Sequence, residues 1–424
     1  MGPEVDWQFQ TTPQVSLPKR RVSHRTIIQL LMFAILGDRV IKETLGKLLG
    51  GSSGINGQAF VAPTKAGIDG WAKLGATSWT WETLFPYYKN AFALQLPDEA
   101  TRDHIGITWR PIVRTITDAV AHRIILSQGE SRATATGVEA NVQGQTIVIK
   151  AKKEVILTAG ALNTPKLLEL SGIGNRAIPD QFNTPVVIDN PNIGENLQDH
   201  LMSGISFETV MQLYAEHKAG PMTIGGVQSC AYMPMIDYRG QQEAKRAHLD
   251  SFLAHPDDRE KVIRDIYAER DTPTCSMFMF LAQANLHQTG KSFVGQELLP
   301  GNFLSLGLSQ SLPFSRGTVH IVSLDPNEPP IIDPRYFSNP LDLDIMAPKK
   351  YLRDTATTSC HSSGTAAMLP REKGGVVDKN LRVYGTTNLR VCDASIFPLI
   401  PAANIMSTVY AVAERAADII RTDA

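Results

Sequence analysis

The sequence predicts an α/β protein, on three observations. Glu154-Val155-Ile156-Leu157-Thr158-Ala159-Gly160 is a continuous apolar strand ending on glycine, and an apolar helix pattern follows it at once. Asn388-Leu389-Arg390-Val391-Cys392 repeats the strand pattern near the other end of the chain, with Asp393 at its carboxyl end. Strand, glycine turn and helix in that order build a parallel sheet with helices packed on it. Ligands of such sheets lie beyond the carboxyl ends of the strands, which puts Asp393 in a functional position.

The N-terminal part, to about Gly46, carries Pro3, Pro13 and Pro18, the basic cluster Lys19-Arg20-Arg21 and the apolar run Ile27 to Leu36, read as a core helix. That run is far shorter than the roughly 20 residues that span a bilayer. Gly50 to Gly57 form a glycine and serine loop, and Trp79 to Asn90 read as a helix with aromatic anchors. Thr146-Ile147-Val148-Ile149 alternates as a strand, and in the helix after Gly160 Thr164 is the expected cap and Pro165 the first-turn residue. Residues from about Met202 to Gly301 are mixed, and the charged stretch Asp257 to Arg270 reads as a solvated helix face. Thr318-Val319-His320-Ile321-Val322 alternates as an antiparallel strand, with His320 read as structural. Met406 to Ile420 place Val409, Val412, Ala413, Ala416, Ala417 and Ile420 on one helical face, so Asn404 sits near a helix N-terminus, where free N–H groups can meet a polar ligand.

The chain of 424 residues is long enough for two or three domains. Its 41 Lys and Arg against 42 Asp and Glu leave a net charge of −1, so no global field steers it towards nucleic acid or an anionic membrane. A small uncharged substrate is the simpler reading. Cys230, Cys275, Cys360 and Cys392 are far apart and make no metal-type cluster, which predicts reduced, buried thiols and no metal. The first residues show neither a basic region nor an apolar leader, and a cytoplasmic location is the expectation.

Two short patterns point to other chemistry. Gly172-Ile173-Gly174-Asn175-Arg176-Ala177 matches a dinucleotide turn, but it follows a helix where that turn needs a strand. Gly50-Gly51-Ser52-Ser53-Gly54 matches the elbow of serine hydrolases, and Asp333 and His361 follow in the matching order. A hydrolase built on Ser52 is therefore one alternative, although Gly54 and Gly57 interrupt the helix that such an elbow needs.

Longer matches favour another family. Gly46-Lys47-Leu48-Leu49-Gly50-Gly51-Ser52-Ser53-Gly54-Ile55-Asn56-Gly57 resembles the first signature of the glucose-methanol-choline (GMC) oxidoreductases, and Leu157 to Leu168 with Ser171-Gly172-Ile173-Gly174 resembles the second. Gly194-Glu195-Asn196-Leu197-Gln198-Asp199-His200 and the run from Gly374-Gly375-Val376-Val377-Asp378 to Glu414-Arg415-Ala416-Ala417-Asp418 resemble further landmarks of the family, most closely in its fungal members. The resemblance implies FAD as cofactor, a small-molecule alcohol as substrate, oxidation to a carbonyl, and a setting in fungal secondary metabolism. It implies His361 as the catalytic base and Asn404, 43 residues downstream, as its partner. Flavin contacts carry over to Ser52, Asn56, Gly57 and Ala59, an adenine contact to Ala121, and contacts near the pyrophosphate and the ring to Asp393, Ala394 and Ile405. A non-redox remnant of the family is a further alternative.

The chain also departs from the family. Its resemblance begins at Asp6-Trp7-Gln8-Phe9-Gln10, without the strand, G-x-G-x-x-G turn and helix with which members open. Val22 to Thr44 do not resemble the family, and stretches near Trp109 to Val113 and Met346 to Lys349 are shorter than in members. Ser362, Ser363, Ala366 and Cys360 replace residues common around the base. The fold expected is a discontinuous, Rossmann-like flavin domain without its first βαβ unit, plus a substrate domain on a mostly antiparallel sheet. Residues 1–200 are expected in the N-terminal part of the flavin domain, 201–350 in the substrate domain, and 351–424 in the C-terminal part of the flavin domain with the catalytic residues.

Overall fold

The structure, a computed structural model, describes residues 3–14, 39–57, 59–92, 115–182, 185–208, 227–235, 238, 240–270, 272–280, 303–346, 352 and 355–423. The Lys19-Arg20-Arg21 cluster, the run Ile27 to Leu36 and the stretch Trp109 to Val113 lie outside the described residues.

The two apolar strands of the sequence meet. Val155–Leu157 pairs in parallel with Leu389–Val391, residue for residue, so the α/β part is assembled from segments far apart in the chain. Val155, Leu157, Leu389 and Val391 are buried, while Ile156 between them is 40% exposed, so one face of this pair is only partly covered.

The helix after the first strand runs Gly160–Leu170, so it starts five residues earlier than a cap at Thr164 would start it. The cap comes from the other strand. One carboxylate oxygen of Asp393 accepts from the Gly160 N–H at 3.0 Å and the Thr164 hydroxyl at 2.7 Å, and the other accepts from the Ser395 N–H at 2.8 Å. Pro165 therefore lies inside the helix, and a proline there removes the hydrogen bond to the carbonyl four residues back. That carbonyl, of Ala161, accepts instead from the Thr365 hydroxyl at 2.6 Å.

A five-stranded antiparallel sheet forms the second layer, in the order Val227–Met233, Cys275–Phe280, Phe303–Gln310, Leu201–Glu208, Thr357–Thr358. Three of its first four strands come from the stretch that the sequence left mixed, and Phe303–Gln310 lies just beyond it. The last comes from beyond residue 350 and leads directly into His361.

A three-stranded meander of Ala119–Gln128, Ala133–Val142 and Gln145–Lys150 stands beside these layers. The strand expected from the alternation of Thr146 to Ile149 is present, but every one of its residues is exposed, so nothing covers either face of it.

The charged stretch at 257–270 forms the helix Asp258–Ala268, with a reciprocal cap between Asp257 and Glu260. It is more than a solvated face. Ile263, Ile266 and Tyr267 are fully buried against the Lys65–Leu74 helix, whose Gly70 lets Val262 and Ile266 come close.

The largest core cluster joins Trp71, Trp79, Leu84, Tyr88 and Phe397, and the C-terminal helix Met406–Asp423 packs on the Trp81–Phe92 helix. Trp71 Nε1 donates to the Leu399 carbonyl at 2.8 Å, and the Tyr88 hydroxyl lies 2.8 Å from that of Thr408. These bonds fix the start of the C-terminal helix, and with it Asn404 and Ile405. His320 is structural as expected: it bridges Glu169 at 2.7 Å and Glu195 at 3.2 Å on a strand that pairs with Ile331–Asp333.

Candidate active site

His361 is placed by an irregular ladder. Leu201 and Met202 pair with Thr358 and Thr357, and the Ser359 N–H donates to the His200 carbonyl at 3.0 Å. Pairing resumes where Gln198 and Ser363 exchange N–H···O bonds of 2.9 Å. Between these points one strand has Asp199 alone and the other has Cys360, His361 and Ser362, so two residues bulge out.

At the start of this bulge Cys360 takes φ 57°, a left-handed conformation that costs free energy in a non-glycine residue. Asp199 holds the strained turn together. Its Oδ1 accepts from the His361 N–H at 2.8 Å, and its Oδ2 accepts from the Thr358 and Tyr336 hydroxyls at 2.6 Å each. The Cys360 N–H in turn donates to the Thr358 hydroxyl at 2.7 Å. Gly364 closes the turn with φ 87°, and a Cβ there would press on Gln198 and Asn196 at 2.6 and 2.7 Å.

The imidazoles of His200 and His361 meet edge to face, with their Nδ1 atoms 2.9 Å apart. His200 Nε2 lies 3.0 Å from the Ser311 carbonyl, which can only accept, so that nitrogen carries the proton and His200 Nδ1 has a lone pair. His361 Nδ1 must then donate to it. This leaves His361 Nε2 as the bare nitrogen, and the Asn404 amide lies 3.4 Å away, aimed at it. Burial pushes His200 down to about 4. Burial, with His200 as neighbour, pushes His361 down to about 3, so both rings are neutral at pH 7. The arrangement presents one imidazole lone pair and one amide at the same half-buried place, the parts needed to take a hydroxyl proton and hold the resulting oxygen.

The structure brings several other expected residues to this place. Asn56 Nδ2 lies 3.1 Å from the Met406 sulfur, and the Ser407 hydroxyl donates to the Val61 carbonyl at 2.5 Å, so the loop through Asn56, Gly57 and Ala59 lies against the start of the C-terminal helix next to Asn404 and Ile405. Ala394 lies alongside the His361 turn, its carbonyl accepting from the Gly364 N–H at 3.0 Å. The carboxylate of Asp393 is spent on capping the Gly160–Leu170 helix. Ala121 sits on the three-stranded meander opposite Ala140, and no bond joins it to His361 or Asn404 among the described residues.

The hydrolase triad is not assembled. Ser52 lies exposed in the short turn Gly51–Gly54, its hydroxyl accepting from the Gly46 N–H at 3.1 Å. Asp333 engages Arg335 and Gln14, and His361 engages His200 and Asn404. Two glycines with positive φ, Gly50 at 93° and Gly51 at 54°, curl the segment into that turn and no strand leads up to Ser52.

Sequence reasoning missed His200, Glu43 and Tyr336. His200 closes the landmark Gly194 to His200, and that was a usable signal; Glu43 and Tyr336 gave none.

The glycine loop is open on one side, and two hydroxyls near the site have spare hydrogen-bonding capacity for a polar cofactor. A Cβ at Gly51 or Gly57 would meet nothing within 4 Å, so the glycine loop borders open space. The hydroxyls of Ser363 and Ser395, on the two segments that carry His361 and Asp393, are buried without a partner among the described residues. All four cysteines are free, but of the thiols expected to be buried only Cys275 is fully so and Cys230 is exposed; no group of three or more potential metal ligands exists among the described residues. Among the same residues no helix is long and apolar enough to cross a membrane.

Comparison with known proteins points the same way. Two family models described as GMC oxidoreductase match residues 109–202, which contain His200, and 347–413, which contain His361 and Asn404. The GMC oxidoreductase family protein Mala s 12 of Malassezia sympodialis is 29% identical over 538 residues, with 98% of this chain and 83% of that protein covered. That match is longer than this chain of 424 residues, so internal stretches of the relative have no counterpart here. An FAD-dependent oxidoreductase from Chaetomium thermophilum superimposes with a TM-score of 0.74 at 21% identity, over 99% of this chain and 90% of that one. A fungal aryl-alcohol oxidase gives the same TM-score and identity over 99% and 89%. In the two matched stretches, which hold the histidine pair and its amide partner, the chain is similar to GMC oxidoreductases, fungal proteins among them.

Proposed function

We propose that this protein oxidises a small alcohol to a carbonyl compound with FAD as its cofactor. The observation that carries the reading is the bare Nε2 of His361, kept free by the hydrogen bond from His361 Nδ1 to His200 and faced by the Asn404 amide. FAD, when bound, supplies the acceptor for the hydride that leaves the alcohol carbon.

The rest of the chemistry belongs to the chain. His361 Nε2 takes the hydroxyl proton, and its new charge is offset by the buried carboxylate of Asp199 behind the same turn. Asn404 Nδ2 donates to the alkoxide oxygen as it forms. The loop of Ser52, Asn56, Gly57 and Ala59, with Ala394 and Ile405, holds the flavin side, and Ser363 and Ser395 offer unspent hydroxyls. Ala121 is assigned to the adenine end and Asp393 to shaping the strand end beneath it. In this reading residues 201–350 contribute the substrate side, and the flanking parts of the chain form the flavin domain.

The relatives that carry FAD or act on aryl alcohols support this reading by their likeness. Purified protein incubated with FAD and freed of excess cofactor should show a bound-flavin spectrum that bleaches anaerobically on addition of an aromatic or aliphatic primary alcohol. A flavin spectrum indifferent to every alcohol of a broad panel overturns the substrate class.

A further inference from the structure

A second buried carboxyl group lies under the His361 turn. Glu43 is 1% exposed and Asp199 5%, and both are within hydrogen-bond distance of one phenol: Tyr336 Oη lies 2.6 Å from Asp199 Oδ2 and 3.1 Å from Glu43 Oε1. A phenol has one proton to donate. The shorter contact, to Asp199, takes it, and the Glu43 oxygen then faces a phenol lone pair.

An ionised Glu43 would set two negative oxygens against that phenol in a dry interior, where like charges a few ångströms apart cannot both be held. Among the described residues the charged and titratable groups facing Glu43 are Asp199, Tyr336 and Cys360, with His361 and His200 behind them. None is a cation at neutral pH, and Lys42, its neighbour in sequence, pairs with Asp6 at 3.5 Å. The remaining oxygen of Glu43 accepts from the Ser362 hydroxyl at 3.3 Å.

We propose that Glu43 is a positioning residue for His361, kept as a neutral carboxylic acid that donates to Tyr336, so that Tyr336 and Asp199 together clamp the strained turn carrying the base. The chain of donors runs from Glu43 Oε1 to Tyr336 Oη, from Tyr336 to Asp199 Oδ2, and from the His361 N–H to Asp199 Oδ1. Asp199, accepting from Tyr336, Thr358 and His361, is the ionised member of the pair. Burial, with the Asp199 charge beside it, raises the Glu43 carboxyl to about 8, in agreement with this order. The role rests on His361 as the proton acceptor, while the protonation state and the clamp are measurable without any turnover.

The experiment uses the full-length protein with and without FAD. Difference infrared spectra at pH 7 between the parent and Glu43→Gln should show one buried carboxylic acid band that the variant lacks. Tyr336→Phe should shift that band, because the acid keeps its proton and loses its acceptor. Amide hydrogen exchange at His361 should speed up at least tenfold in Glu43→Ala and stay slow in Glu43→Gln, whose amide still donates to Tyr336. Above pH 8 the parent should lose the amide protection that Glu43→Gln keeps. No band difference at neutral pH, a band abolished by Asp199→Asn and untouched by Glu43→Gln, or equal exchange in Gln and Ala variants would each overturn the proposal. Slow exchange with the band assigned to Glu43, in a protein whose flavin no alcohol bleaches, would retain the clamp and reject the reaction.

Discussion

His200 Nδ1 accepts from His361 Nδ1 across 2.9 Å, and this contact decides which nitrogen of His361 faces the site. His200 can play that part because its other nitrogen is committed to the Ser311 carbonyl at 3.0 Å. His200→Phe fills a similar volume and removes the acceptor. His361 is then free to place its proton on Nε2, the wrong side for a base. Losing one buried hydrogen bond costs about 1 to 3 kcal/mol, so kcat should fall roughly 10-fold to 100-fold with KM little changed. Steady-state kinetics across a substrate series check this, and an unaltered kcat would remove His200 from the mechanism.

His361 itself should matter more. General-base assistance is typically worth about 10² to 10⁴ in rate, and His361→Ala should lose that much while binding FAD as the parent does. Flavin content by absorbance and single-turnover reduction by alcohol separate the two effects. Full reduction at the parental rate would show that another group takes the proton.

Asn404 lies two residues before the start of the helix Met406–Asp423 and aims its amide at His361 Nε2, at 3.4 Å. Apo distances of this length tighten when a substrate oxygen arrives. Asn404→Ala should slow turnover about 100-fold to 1,000-fold, the range for loss of one donor to a developing oxyanion, with a change in melting temperature of a few degrees at most. A lowered melting temperature at parental turnover would make Asn404 a helix residue and nothing more.

Asp393 holds the strand Leu389–Val391 to the helix Gly160–Leu170 through bonds from Gly160, Thr164 and Ser395. Asp393→Ala should leave all three groups without this acceptor; counting Gly160 and Thr164 alone, at 1 to 3 kcal/mol for each buried group, the cost is about 2 to 6 kcal/mol. Asp393→Asn should cost less, since one amide oxygen can still accept from both. Urea unfolding followed by far-ultraviolet circular dichroism measures the difference, and equal stability of the two variants would deny Asp393 its capping role.

The parallel strands and the last helix were legible because apolar runs, terminal glycines and helical spacing are local signals, and His361 and Asn404 were legible because the family's signatures bracket them. What escaped were relationships between distant segments. The cap of the Gly160–Leu170 helix is Asp393, so local capping rules pointed to Thr164 instead. The bulge that carries His361 exists only because Leu197 to Leu201 run beside it. Glu43 comes from a segment with no family pattern, and the side chain that gives it a role, Tyr336, lies in a loop after the strand Ile331–Asp333. No periodicity or motif in a single sequence announces such a pair.

Acid should unfold this protein partly through its histidine pair. In the folded state His200 and His361 lie at about 4 and about 3, against an ordinary 6.5. The unfolded chain therefore binds protons that the folded one refuses, so the stability due to keeping these rings neutral is complete above pH 6.5 and is lost as pH falls through 4. Glu43 and Asp199 act in the opposite sense, since burial raises both, and the stability due to their protonation grows as pH falls through about 8 and about 6. His320 does not alter this balance between pH 6.5 and 4, because its own contribution changes only at higher pH. Burial lowers it, yet its bonds to Glu169 and Glu195 win and hold it up at about 9, so its contribution is present at acid pH and lost on the alkaline side. The histidine pair is isolated by difference. His200→Phe should be less stable than the parent at pH 7.5 and should close that gap steadily between pH 6.5 and 4, because it has one fewer ring to charge on unfolding. Melting temperatures of both proteins at half-unit intervals over that range decide the matter, and a gap that stays constant would show that the imidazoles are accessible to protons in the folded state.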